Sequence, residues 1–242
     1  IWLITNGNKA WVVDPGDAKP VLDHLKQHQL ILSGILLTHH HFDHIGGVDK
    51  LISQFSVPVF GNPTRIKQIT EAVGDGDIVS QEAFEFTIIE VPGHTLDHIA
   101  YFGEVAGYGP CLFCGDTLFS AGCGRLFEGS AEMMLNSLSK LAELPADTRV
   151  FCAHEYTLAN LNFAKAVMPE SGSVQRRIDL CKRRRSDQQP TLPAVLGEEL
   201  TYNPFLMTDD ERVIEAAAQQ LGQLPTNKTD VFAAIRQWKD RF

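Results

Sequence analysis

The feature that most constrains this chain is a cluster of four metal-ligating side chains within six residues. They follow the pattern H-x-H-x-D-H and are His39, His41, Asp43 and His44. Apolar residues 34–37 precede the cluster, and apolar side chains at helical spacing follow it over 45–55, so we expect a strand-to-helix loop. Imidazole and carboxylate ligands together suit zinc, iron or manganese. A histidine-rich surface loop is the plainer explanation, but this spacing allows one ligand set to converge on one ion and a second set on another.

The motif, placed after a predicted strand, resembles the signature of the metallo-β-lactamase superfamily. That fold is an αββα sandwich with a metal site along one edge of its sheets. The resemblance implies three further ligands in order, a histidine, a bridging aspartate and a last histidine, each at a strand end. Each has a candidate after an apolar strand pattern: His94 after 84–91, Asp116 after 111–113 and His154 after 150–152. Any one of them alone would more often be an ordinary strand-end residue, whereas their joint order favours the metal site.

A second stretch narrows the resemblance. Residues 116–129 read DTLFSAGCGRLFEG and residues 154–157 read HEYT. With these segments the chain is similar to glyoxalase II, the hydroxyacylglutathione hydrolase branch of the superfamily, over nearly its whole length. The metal ligands that this resemblance implies are His39, His41 and His94 for one ion, Asp43, His44 and His154 for the other, and Asp116 as the bridge.

The resemblance also implies the cofactor and the reaction. Two divalent ions per chain are expected, with zinc preferred and with iron and manganese as alternatives. Asp43 and Asp116 would orient a hydroxide between the ions, formed from water that has lost much of its proton affinity. Attack on a thioester carbonyl would release a thiolate without a strong acid, because thiol pKa values are about 8–9. The expected substrate is an S-(2-hydroxyacyl)glutathione. S-D-lactoylglutathione would give glutathione and D-lactate, the second step of methylglyoxal detoxification.

The predicted domain organisation follows from a change of pattern beyond Thr157. Strand patterns dominate before it and helical spacing after it, so we expect an α+β catalytic αββα sandwich over 1–157 and a smaller all-α domain over 158–242. The resemblance implies that the second domain binds glutathione. Its predicted helices span 158–167, 173–185, 208–221 and 229–238, and the third begins with a capping box, Thr208 to Glu211.

Four residues are predicted to bind the substrate. Arg236 and Lys239 are three residues apart on one helical face and match the R-x-x-K-D of glyoxalase II, which holds the glycine carboxylate of glutathione. Arg125 and Tyr156 match the remaining side-chain positions of that pocket. A basic pair near the end of a terminal helix would otherwise be explained by the helix dipole.

Two aspartates depart from the simple pattern. Asp14, in a D-P-G turn after a predicted strand, matches a carboxylate that the family holds near the metal loop, and a turn-forming aspartate is an equally good explanation. Asp97 stands where the pattern H-T-x-G-H has glycine. It either changes the local turn or adds a carboxylate near the pocket, and it removes no ligand.

Composition excludes several classes of protein. The net charge of −9 disfavours a nucleic-acid partner, and the basic run 182–185 is therefore expected to be a solvated helix face. No apolar run is long enough for a membrane span. Five cysteines without a repeated spacing argue for a reducing compartment, the cytoplasm, and Cys111 and Cys114 are expected to be buried strand thiols. We expect a monomer.

Other functions stay open at this point. A sulfur dioxygenase of the superfamily also takes glutathione-derived substrates, but it uses one iron and fewer of these ligands. A metallo-β-lactamase would normally be exported and lacks the helical appendage, and an RNA-processing nuclease would need a basic face. A metal-binding module without catalysis is possible if Asp97, or a segment missing before Ile1, disables the site.

Overall fold

The computed structural model describes residues 1–242, which form two compact units. The first comprises residues 1–91 and 95–115, and the second comprises residues 92–94 and 116–242. Helices and strands are mixed along the chain, which confirms the predicted α+β class. None of the helices combines the length and the apolar character that crossing a bilayer requires.

The first unit contains nine strands and three helices. Its strands are β1 (Trp2–Asn6), β2 (Lys9–Val13), β3 (Ile31–Leu36), β4 (Val59–Gly61), β5 (Glu71–Ala72), β6 (Ile78–Gln81), β7 (Phe84–Glu90), β8 (Ile99–Val105) and β9 (Gly109–Gly115). Its helices are α1 (Ala18–Gln27), α2 (Phe42–Ile45) and α3 (Val48–Ile52).

One sheet of this unit has the strand order β1-β2-β3-β4-β5. A hairpin turn at residues 6–8 joins β1 and β2, where Gly7 takes a positive φ of 58°. The pairs from β2 to β5 are parallel. Asp17 caps α1 by accepting a hydrogen bond from the backbone N–H of Lys19 at 2.9 Å. Apolar residues of α1 and α3 pack with β2 and β3 in one buried cluster, so these helices cover one face of the sheet.

Strands β6 to β9 form an antiparallel meander. Side chains along β7 alternate between buried and exposed, as a strand with one face in a core requires. The ring of Phe84 meets Trp11 of β2 edge to face at 5.3 Å, and the hydroxyl of Tyr101 donates to the carbonyl of Leu37 at 2.9 Å. These contacts join the meander to the other face of the first sheet and produce two packed β layers.

The second unit is mainly helical. Its strands are β10 (Leu118–Phe119), β11 (Gly122–Cys123), β12 (Arg149–Cys152) and β13 (Ala194–Val195), and its helices are α4 (Ala131–Ala142), α5 (Thr157–Val167), α6 (Gly172–Ser186), α7 (Leu196–Tyr202), α8 (Glu211–Leu221) and α9 (Lys228–Arg241). A 3₁₀ turn, Pro204–Leu206, follows α7. The rings of Phe163, Phe205 and Phe232 are fully buried in successive contact, which gives the helices a common core.

Most of the helix predictions agree with the observed bounds to within three residues. Helix α7 was not predicted, and the capping box at Thr208 is wrong. The side chain of Asp210 instead accepts from the backbone N–H of Arg212 at 3.0 Å, so α8 begins at Glu211. Thr208 is buried, which keeps its side chain from the solvated end of the helix. The basic run 182–185 lies at the end of α6 and is mostly exposed, as expected.

We expect Phe86→Ala to destabilise the first unit strongly. The Phe86 ring is fully buried and stacks on Phe84 at 4.5 Å, so its loss leaves a cavity in the β sandwich and lowers the free energy of unfolding by about 3–5 kcal/mol. Chemical denaturation measures this difference. Glu85→Ala, on the exposed face of the same strand, is the matched control and should change stability by less than about 0.5 kcal/mol. Equal stability of the two variants would contradict this account of the core.

Candidate metal centre

The H-x-H-x-D-H cluster lies, as predicted, on the connection between a strand and a helix. The chain leaves β3 at Leu36, and α2 begins at Phe42, so the cluster spans the loop and one short helical turn. His39 and His44 are buried. The loop packs tightly on the turn after β2, because a Cβ atom on Gly16 would lie 1.8 Å from the carbonyl oxygen of Asp43. Only glycine at residue 16 permits this close approach.

Asp14 holds this loop in place with both of its carboxylate oxygens. Oδ1 accepts from the backbone N–H of Thr38 at 2.8 Å, and Oδ2 accepts from the hydroxyl of Thr38 at 2.7 Å and from Nδ1 of His44 at 2.9 Å. The carboxylate is buried, and the residue has a positive φ of 49°. Both explanations of Asp14 therefore apply, because it makes the turn and also orients a predicted metal ligand. Its bond to Nδ1 directs Nε2 of His44 away from the turn.

The imidazole of His39 is oriented in a related way. Its Nδ1 lies 3.1 Å from the Thr38 hydroxyl oxygen. Because that hydroxyl donates its proton to Asp14, it accepts from His39 and leaves Nε2 of His39 as a lone-pair donor. Nε2 lies 3.0 Å from Nδ1 of His41. Two ring nitrogens at this distance need a shared proton or a cation, which fits two ligands of one metal ion.

The other three predicted ligands form a second arrangement around one carboxylate. Oδ2 of Asp116 lies 3.6 Å from Nε2 of His94, and Oδ1 lies 3.5 Å from Nε2 of His154. Nδ1 of His94 donates to the carbonyl of Arg125 at 2.9 Å, so its Nε2 is the nitrogen available to a metal. The two oxygens of Asp116 thus face two different histidines, as the bridging role implied by the resemblance would require.

Each unit presents its own set of predicted ligands. In the first unit these are His39, His41, His44 and Asp43, and Oδ2 of Asp43 lies 4.0 Å from Nε2 of His44. In the second unit they are His94, Asp116 and His154. Imidazole nitrogens and carboxylate oxygens in these numbers fit zinc, iron or manganese in the divalent state.

Asp97 is a residue whose role the sequence left open. Its carboxylate is buried, and Oδ1 accepts from Nδ1 of His40 at 2.8 Å. Of the two alternatives for this position, the structure therefore supports the added carboxylate. It also assigns a contact to His40, the one histidine of the cluster without a predicted role. His98 stacks on His39 with ring centroids 4.5 Å apart, which the sequence did not indicate.

The predicted substrate residues Arg125, Arg236 and Lys239 lie around Asp240. Nε of Arg125 is 3.6 Å from Oδ1 of Asp240, and Arg236 donates to the same oxygen at 3.1 Å. Arg236 is almost fully buried, where it also donates to the carbonyl of Cys123 at 2.9 Å. Its guanidinium therefore supports the loop before Arg125, whereas Arg125 is largely exposed.

Lys239 and Tyr156 complete the predicted set. The ammonium of Lys239 lies over the ring of Phe163, 5.1 Å from its centroid. Burial, and secondarily the charge of Arg236, lowers the pKa of Lys239 to about 8. Tyr156 is half exposed and stacks on the imidazole of His154 at 5.2 Å, which places the aromatic ring beside a predicted metal ligand.

All five cysteines are buried and none forms a disulfide. Burial raises the pKa of the Cys152 thiol to about 12 and also raises the pKa of Cys123. Both thiols therefore stay protonated near neutral pH. Cys111 and Cys114 lie buried in β9, which confirms the prediction for those two residues.

Comparison with known proteins places these residues in a family. Residues 1–154 match the model of the metallo-beta-lactamase superfamily, and residues 155–242 match the model of the hydroxyacylglutathione hydrolase C-terminus. A hydroxyacylglutathione hydrolase from Hahella chejuensis is 57% identical over 244 residues, which cover all of this chain and 95% of that protein. A hydroxyacylglutathione hydrolase from Chromohalobacter salexigens is 48% identical over 245 residues, covering all of this chain and 94% of that protein.

Among solved structures, ETHE1 from Myxococcus xanthus is similar in fold, with a TM-score of 0.63 and 24% sequence identity. The match covers 98% of this chain and 91% of that one. At this identity the likeness shows a shared fold alone.

We expect Asp14→Asn to weaken metal binding by about 10–100-fold. The substitution replaces one carboxylate oxygen by an NH₂ group, which cannot accept the hydrogen bond from Thr38 or His44. Asparagine tolerates the positive φ, so the turn itself should persist. Zinc retained per chain after dialysis against graded chelator concentrations measures the effect. Asp17→Asn, which keeps the cap of α1, is the control. Retention by Asp14→Asn equal to that of the unaltered protein would refute the orienting role.

Proposed function

This chain belongs to the hydroxyacylglutathione hydrolase family of the metallo-β-lactamase superfamily, and we propose on that basis that it hydrolyses S-(2-hydroxyacyl)glutathione to glutathione and a 2-hydroxy acid. S-D-lactoylglutathione is the proposed main substrate and D-lactate the product, as in methylglyoxal detoxification. The observation that carries the proposal is the combination of full-length similarity with the clustered histidine and aspartate donors.

We propose two divalent metal ions per chain, with zinc in both positions and with iron or manganese as alternatives. The two ligand sets that the family resemblance implies support the number two, because His39, His41 and His94 form one and Asp43, His44 and His154 form the other. Asp116 is the proposed bridge. When bound, such ions supply a Lewis acid for the carbonyl oxygen and lower the pKa of water enough to give hydroxide near neutral pH.

The protein side chains have three tasks in this proposal. Asp43 and Asp116 present carboxylate oxygens that accept hydrogen bonds from the attacking water and so orient it toward the thioester carbonyl. Asp14 fixes the ring of His44, and the Arg125 carbonyl fixes the ring of His94, so the donor set is prepared before substrate binds. The leaving group is a thiolate whose thiol has an ordinary pKa of about 8–9, so no side chain has to act as a strong acid.

Substrate recognition is assigned to the basic residues near Asp240. Arg236 and Lys239 are proposed to bind the glycine carboxylate of glutathione through charge-assisted hydrogen bonds, and Arg125 is proposed to occupy a further position of the same pocket. Arg236 adds its positive charge to this region while its hydrogen bonds hold the backbone of Cys123. Tyr156 is half exposed beside His154 and can donate to the tripeptide near its cysteine.

The alternatives receive less support. The likeness to ETHE1 concerns the fold, whereas similarity to the hydrolases extends over the whole chain at 57% identity. Asp43, His44 and His154, the ligand set that a one-iron dioxygenase would not need, are all present in the chain. A non-catalytic module is disfavoured because Asp97 bonds to His40 rather than displacing a predicted ligand.

The proposed domain boundary lies at residue 157, between a catalytic domain and a helical glutathione-binding domain. The two family models meet at residues 154 and 155, which supports a boundary in this region. The cytoplasmic location is likewise a proposal, supported by five cysteines without a disulfide. The monomeric state and the absence of nucleic-acid and membrane partners stay predictions from the sequence.

We expect the purified protein to hydrolyse S-D-lactoylglutathione, followed as loss of thioester absorbance, and to contain about two metal ions per chain, determined on the same sample. Asp116→Ala should abolish both activity and full metal loading, because Asp116 faces ligands of both groups. Absence of turnover with one bound iron would favour the dioxygenase. Absence of turnover with two metals would contradict the proposed substrate.

We expect kcat/KM for S-D-lactoylglutathione to fall as the pH rises through about 8, because Lys239 then loses the charge that binds the substrate carboxylate. The neighbouring groups that set this value are Arg236 and Arg125, which lower the pKa, and Cys123 and Asp240, which raise it. Lys239→Arg keeps a charged group at this pH and is the matched control. Identical pH profiles of the two proteins would contradict the role of Lys239.

A further inference from the structure

A short hairpin connects the proposed bridging ligand to the proposed substrate residue. Strands β10 and β11 pair over Leu118 to Cys123, directly after Asp116 and before Arg125. The turn of the hairpin contains Ala121 with a positive φ of 57°. A non-glycine residue in this conformation costs about 1 kcal/mol, so contacts from outside the hairpin have to stabilise the turn.

Glu199 of α7 supplies the central contact. Its carboxylate is fully buried and accepts from the backbone N–H of Ala121 at 2.7 Å. The same carboxylate accepts from the hydroxyl of Tyr202 at 2.7 Å and from the side-chain amide of Asn203 at 3.2 Å. Burial raises the pKa of Glu199, while these donors favour its charged form. A buried carboxylate with this many donors is held in one position.

Two asparagines extend the contact along the turn. The amide nitrogen of Asn203 donates to the carbonyls of Phe119 at 3.2 Å and Gly122 at 3.1 Å. Asn160 of α5 donates to the carbonyl of Ser120 at 3.0 Å. Four successive residues of the turn, 119–122, thus each bond to a side chain from α5, α7 or the residue after α7.

Gly124, the residue after the hairpin, packs against two of the proposed metal ligands. A Cβ atom on Gly124 would lie 2.0 Å from the backbone oxygen of Asp116 and 3.0 Å from Nδ1 of His94. Arg236 holds the carbonyl of Cys123 at 2.9 Å. With so little free space, a displacement of the turn has to move Asp116, His94 or Arg236.

We propose that Glu199 is a positioning residue for the metal ligands and the substrate residues, and that it acts through the Phe119–Gly122 turn. This inference rests on the proposed function, because it assigns Glu199 to the preparation of that same site. Glu199 is itself neither a proposed metal ligand nor one of the proposed substrate residues. Its effect passes along the hairpin backbone to Asp116 on one side and to Arg125 on the other.

The test compares Glu199→Ala with Glu199→Gln. Alanine leaves the N–H of Ala121 unbonded, and we expect about a tenfold rise in KM for S-D-lactoylglutathione and loss of zinc at about tenfold lower chelator concentration. Glutamine restores both values to within about twofold, because its amide oxygen accepts from Ala121 while its NH₂ group donates to Tyr202. Assays at 25 °C keep both variants below their unfolding temperatures.

Two controls separate positioning from stability. Tyr202→Phe removes one bond to Glu199 and leaves the bond to Ala121, so KM and zinc retention should stay at their original values. Val213→Ala, in the buried face of α8, should lower thermal stability without changing either value. If Glu199→Ala does not accumulate as folded protein, Asn203→Ala removes the bonds to Phe119 and Gly122 and has to show the same two effects.

Unchanged KM and zinc retention in folded Glu199→Ala would overturn the proposal, and so would equal effects in Val213→Ala. Zinc retention is measured without substrate. If the unaltered protein does not hydrolyse S-D-lactoylglutathione, the comparison of chelator resistance therefore still tests the role of Glu199 separately from the proposed reaction.

Discussion

The predicted metal loop depends on one buried carboxylate. Asp14 accepts three hydrogen bonds from Thr38 and His44, and the Thr38 hydroxyl in turn orients His39. The rings of His39 and His44 are therefore oriented by Asp14, although Thr38 and His44 lie 24 and 30 positions farther along the chain. The tight turn after β2, with glycine at residue 16 against the loop, brings the carboxylate to this place. The folding of the first sheet therefore orients the imidazole rings of His39 and His44.

Buried acidic side chains have a common task in this protein. Asp14 acts on the metal loop, Asp97 on His40, and Glu199 on the hairpin that follows Asp116. In each case the carboxylate accepts a hydrogen bond from a loop group and so fixes the position of that group. Charged acceptors make stronger hydrogen bonds than neutral ones, so a small number of such residues suffices. The cost of their burial is offset only where every donor is in place.

The sequence predicted the strands and helices that have a clear periodicity, and it predicted the proposed ligands because four of them fall within six residues. It did not predict β10, β11 or β13. Each of these strands has only two residues, which is too short to show a periodic pattern. Contacts such as Asp97 with His40, 57 positions apart, depend on the fold and leave no local pattern. The spacing of Arg236 and Lys239 indicated a shared helical face, but not that Arg236 is almost fully buried. The helix cap predicted at Thr208 is wrong for a related reason. The residue type suits a cap, but the side chain is buried, which the sequence does not show.

The burial of the cysteine thiols affects which nucleophile can react with a bound thioester. A thiolate would capture the acyl group by transthioesterification and form a covalent acyl-protein instead of the free acid. Cys123 lies two residues before Arg125, yet it is buried and its pKa is raised, and the pKa of Cys152 is about 12. Neither sulfur is ionised near neutral pH, so neither competes with water for the acyl group. The packing of the core thereby contributes to the chemical selectivity of the proposed hydrolysis.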